Sequence, residues 1–153
     1  MRTRSHQAKL QSHLQNSPSQ EQLPHPRCLG YSFTGMYDEF VAIDRWTGQP
    51  VLCAYQAVII AIATRHADAI DIKFLAGERP VWIALPHPAW VEYQQQTGKI
   101  ITDPMAVQIA GHFLKWAIES GEDNGREMYS LTVPETLDHL HAVVEEAHQL
   151  AVP

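Results

Sequence analysis

The chain has 153 residues, 45% of them hydrophobic, and a net charge of −6. That is one domain's worth of chain, with enough apolar side chains to bury a core. Residues 1–27 carry Arg2, Arg4, Lys9 and Arg27 against Glu21 and the rest is acidic, which argues against nucleic acid as a partner of the folded body, since phosphate binding needs a basic face.

The two cysteines, Cys28 and Cys53, belong to no CxxC pair, so zinc and thioredoxin chemistry have no support. The N-terminus lacks the apolar core of a secretory signal. No apolar run reaches the ~20 residues that a membrane span needs. These points predict a cytoplasmic protein with reduced thiols and no membrane association.

Residues 1–27 are rich in Gln, Ser, His and Pro. They read as a disordered basic tail, with too little apolar surface to offset ordering entropy. Residues 28–153 read as a single α+β domain.

In chain order, Cys28–Met36 is a glycine-flanked entry. Glu39–Asp44 alternates and predicts a strand. Asp44–Pro50 is turn chemistry, with Gly48 at a positive-φ position. Pro50–Ala54 can pair back as a second strand. Residues 57–67 then raise a conflict. Alanines, with Arg65 and His66 near the end, favour a helix. Val58, Ile59, Ile60 and Ile62 favour a strand. The balance predicts a helix and leaves the strand open.

Ile70, Ile72 and Phe74 alternate with Asp71 and Lys73, and Val81, Ile83 and Leu85 alternate with Trp82 and Ala84. Joined by Ala76–Arg79, they predict a hairpin with its apolar face on a helix. Pro80 would open the second strand. The order helix, strand, turn, strand, with ATRHADAIDIKF at the junction, resembles the N-terminal part of secretion and pilus assembly ATPases. That family's nucleotide loop, GxxxxGK(S/T), is absent, so the resemblance implies shared local architecture and no activity.

Pro88 opens a helix that Gly98 closes. Asp103 and Pro104 read as N-cap and first residue of a second helix, running to about Ser120 with Gly121 after it. Met128–Val133 reads as a short strand. Thr132 and Glu135 have capping-box spacing for the terminal helix. There Leu137, Leu140, Val144, Ala147 and Ala151 form a heptad-like stripe. The whole predicts a small, mainly antiparallel sheet of four to five short strands, with about four helices packed on one face.

Three functional readings compete. The first is a non-enzymatic interaction or regulatory domain that self-associates or takes a protein partner. Its interface would be Trp82, on the hairpin's outer face, with Leu137, Leu140 and Val144. The second is a small-ligand module with a pocket between sheet and helices, lined by Trp90, Tyr93, His112 and Trp116. The third is a metal-dependent enzyme. Asp138-x-x-His141 and Glu145-x-x-His148 place carboxylate and imidazole one turn apart, which nominates His141, Glu145 and His148 as ligands. His87, between two prolines, is a weaker candidate for acid–base work. Asp38, Glu39 and Asp44, flanking the first strand, could face one cleft as hydrolase carboxylates do. No cofactor is indicated.

Overall fold

The computed structural model describes residues 35–60 and 69–151. The expected disordered tail, residues 1–27, lies outside them, as do residues 61–67 of the expected central helix. A five-stranded sheet has the order β1-β2-β3-β4-β5. Its strands are β1 (Glu39–Ile43), β2 (Pro50–Ile60), β3 (Ala69–Ala76), β4 (Arg79–Pro86) and β5 (Met128–Ser130). The helices are α1 (Pro88–Thr97), α2 (Asp103–Ser120) and α3 (Val133–Ala151).

The first four strands form an antiparallel meander, and β5 joins β4 in parallel. The sheet is therefore mixed. The chain between β4 and β5 carries α1 and α2, the kind of long crossover that a parallel neighbour requires.

The fold class is α+β, with three helices among the described residues where about four were expected. Residues 57–60, the start of the expected central helix, are strand. Pro50–Ile60 is a single strand, paired with β3 from Cys53↔Ala76 to Ile60↔Ile70. The β-branched Val58, Ile59 and Ile60 prevail over the alanines because a ladder partner is present, and tertiary pairing overrides a weak local preference. A bulge at Gln56 lets the strand run on past Tyr55. The helix–strand–turn–strand order behind the ATPase resemblance is therefore not found over the described residues.

Other local expectations hold. Asp44 accepts from the amides of Trp46 and Thr47, and Gly48 sits at φ 65°. Gly77 turns the β3–β4 hairpin at φ 62°. Pro80 is the second residue of β4, not the first. The N-cap of α2 is Thr102, one residue earlier than expected. Its hydroxyl accepts from the Met105 amide at 3.4 Å, and its backbone is extended. Asp103 thus falls in the first turn, where its charge meets the helix dipole. At α3, Thr132 and Glu135 cap each other.

The core lies on one side of the sheet. Ile72, Phe74, Val81, Ile83 and Leu85 are buried there against Ile109, Leu114 and Ile118 of α2 and Leu137 and Leu140 of α3. α3 packs against both α1 and α2. Covered by the sheet and α3, α2 is buried from Met105 to Gly111 without a break. No helix among the described residues is long and apolar enough to cross a membrane.

Candidate functional site

Strand alternation sends every second side chain to the face opposite the helices. On that side Val41, Ile43 and Leu52 are 50%, 50% and 52% exposed, and Ile59 further along β2 and Met128 on the far strand β5 are exposed as well. Val41 pairs with Leu52, and Met128 with Trp82, so these residues share one face across neighbouring strands. Among the described residues no element covers this face. Trp82 lies half-buried within it, and the Lys73 ammonium stands 5.4 Å from the Trp82 ring centroid. That cation–π contact keeps a charge over the ring while the lysine stem covers apolar surface.

A second cluster sits on the helix side. Tyr37, just before β1, is anchored twice: its amide donates to Gln108 Oε1 at 2.7 Å, and its hydroxyl donates to Glu146 Oε2 at 2.8 Å. Gln108, fully buried, also donates to Asp38 Oδ1. Glu146 Oε1 lies 3.7 Å from His112 Nε2. The Nδ1 atoms of His112 and His139 are 2.7 Å apart. That contact requires one proton between the rings, so one imidazole donates and the other accepts. Phe113 and Trp116 pack against His139.

Burial pushes His139 down to about 4, with His112 adding to the effect and Asp138 and Glu135 opposing it. His112 is also lowered, burial outweighing the attraction of Glu146. Burial, then the hydrogen bond to Glu146, raises the Tyr37 hydroxyl. At neutral pH the cluster holds neutral imidazoles and a neutral phenol, and Tyr37 ties the start of β1 to α2 and α3.

The residues expected to share a ligand pocket are not brought together. Trp90 and Tyr93 lie on α1, and His112 and Trp116 on α2; the helix that packs on α1 is α3. A depression along α1 is lined instead by His87, Val91, Glu92 and Gln96. His87 is the exposed N-cap position of α1 and makes no side-chain capping bond.

Of the expected interface, Trp82 is on the uncovered face. Leu137 and Leu140 are instead buried in the chain's own core, and Val144 packs against it. The heptad-like stripe docks on the domain because α2 and the sheet offer it a larger apolar surface. His141, Glu145 and His148 are all exposed, and among the described residues no group of three or more His, Cys, Asp or Glu is placed to hold a metal ion. Asp38 and Asp44 stand at opposite ends of β1, one bound to Gln108 and the other capping its turn, so they share no cleft.

The sequence reading did not single out Tyr37, His139 or Glu146. His139 and Glu146 are seven residues apart, hence on one face of α3, which is a legible signal. Nothing local marks Tyr37. No protein-family model matches the chain, nor does any curated protein or solved structure.

Proposed function

We propose that the protein is a non-enzymatic interaction domain that self-associates through the uncovered side of its sheet and the rim beside it. The observation that supports this reading is the row of exposed Val41, Ile43 and Leu52 on the sheet face without helices. Singly exposed apolar side chains are ordinary, but a contiguous group on one face marks an interaction surface. Trp82 within that face has the size and rigidity of an interface anchor. The partner is a second copy of the chain, and the compartment is the cytoplasm, in keeping with a free, buried Cys53.

Sedimentation velocity of the full chain over a wide concentration range tests the reading. A sedimentation coefficient that rises with concentration towards that of a dimer supports it. A single monomeric boundary at every concentration rejects it.

A further inference from the structure

We infer that two copies of the chain join edge to edge through β2, with Gln56–Ile60 of one copy paired antiparallel to the same stretch of the other. This rests on the self-association reading above and names the surface that carries it.

β1 accompanies β2 only as far as Glu39↔Ala54. One further bond, from the Tyr55 amide to the Asp38 carbonyl, closes that ladder at 2.7 Å. β2 continues to Ile60, held on its other side by β3. Tyr37, which would prolong β1 along this edge, is instead held in the helix layer by Gln108 and Glu146. Past Tyr55, the backbone groups of β2 on the β1 side have no strand partner among the described residues. A row of unpaired N–H and C=O groups is a template for an added strand.

The side chains around this edge specify what the added strand must be. Ile59, on the uncovered face, is 46% exposed, and Ile60, on the helix face, is 57% exposed. An occupant therefore has to be apolar on both of its faces. β2 itself satisfies this, with Ala57 and Ile59 on one side and Val58 and Ile60 on the other. Antiparallel self-pairing is an isologous contact, so one surface supplies both partners.

Charge points the same way. The chain carries −6, which opposes the approach of a copy almost anywhere. From Trp46 to Thr64 there is no charged residue. The strand that would meet its copy therefore carries no charge of its own. The edge also lacks the lysine or proline that commonly blunts such strands. Pairing would fuse two five-stranded sheets into one and place their uncovered faces side by side.

The test is sedimentation velocity of the full chain and two pairs of lysine variants. Ile60→Lys and, separately, Gln56→Lys put a charge on the edge at exposed positions. Val91→Lys and Ile100→Lys put one at exposed positions on and just past α1, away from β2. Thermal melts confirm that each variant is folded, and two edge variants guard against the loss of one. The inference expects the edge variants to weaken dimerisation by roughly tenfold or more and the α1-side variants to leave it near wild type. A wild-type dimer that both edge variants leave near wild-type strength overturns the edge inference and leaves self-association standing. A wild-type chain that is monomeric throughout, whether or not a segment of its own chain occupies the edge, overturns both.

Discussion

Tyr37 crosses α2 directly over Gly111, so that a Cβ placed on Gly111 would overlap the Cβ of Tyr37 and press on its carbonyl. This close approach seats Tyr37 against α2 and off the line of β1 along the β2 edge. Glycine inside a helix ordinarily costs about 1 kcal/mol relative to alanine. Here Gly111→Ala is expected to destabilise, by about 1–3 kcal/mol, because the clash is with backbone and Cβ atoms that cannot rotate away. Urea denaturation of the variant checks the sign as well as the size.

The imidazole pair gives stability a pH dependence of definite sign. Both histidines are lowered in the folded chain, His139 to about 4, while an unfolded histidine titrates near about 6.5. The unfolded state therefore binds protons first as the pH falls. The stability conferred by the neutral pair is complete above about 6.5 and declines until the folded rings titrate. Glu146 faces the pair from α3 and Lys115 from α2; Asp138 and Glu135 add negative charge, and the Tyr37 hydroxyl stays neutral. Glu135 is itself lowered by its bonds to Thr132 and loses its contribution further down, in the carboxylate range. Melting temperatures measured from neutral to mildly acid pH are expected to fall, and His139→Gln is expected to flatten that fall.

The α3 cap is reciprocal: the Glu135 amide donates to the Thr132 hydroxyl at 3.4 Å, and the Thr132 amide donates to Glu135 Oε2 at 2.7 Å. Thr132→Ala removes the acceptor and is expected to cost about 1 kcal/mol, with Thr132→Ser close to wild type. Chemical denaturation of the two variants separates loss of the hydroxyl from loss of the methyl.

His141 and His148 project into solvent on α3. Replacing either with alanine is expected to change stability by no more than about 0.5 kcal/mol. Calorimetric titration with zinc is expected to give the same trace for the double variant as for the wild type. A metal-dependent difference between them would revive the ligand role of His141, Glu145 and His148.

Much of the fold was legible because short-range chemistry fixed it. The β3–β4 hairpin follows from alternation and Gly77, and the ends of α1 and α2 from Gly98 and Gly121. The middle of β2 was not legible: alanine and β-branched residues alternate there, and the ladder with β3 that decides between them is a long-range fact. The parallel placement of β5 is also set at long range, by a crossover of two helices. At the sites, Trp82 could be placed on the outer face from period alone. The four residues expected in one pocket fall on α1 and α2, and the helix that packs on both is α3, which no local pattern reveals. The link from Tyr37 to Glu146 spans 109 residues and leaves no trace in spacing.

Hydrogen exchange of the wild-type chain at dilute and concentrated protein, followed at the amides of Ala57–Ile60, tests the central claim most directly. Self-pairing through β2 predicts that amides facing the free edge exchange faster than those bonded to β3 in dilute solution and become protected as concentration rises. The same exchange rates at every concentration, fast or slow, would contradict it.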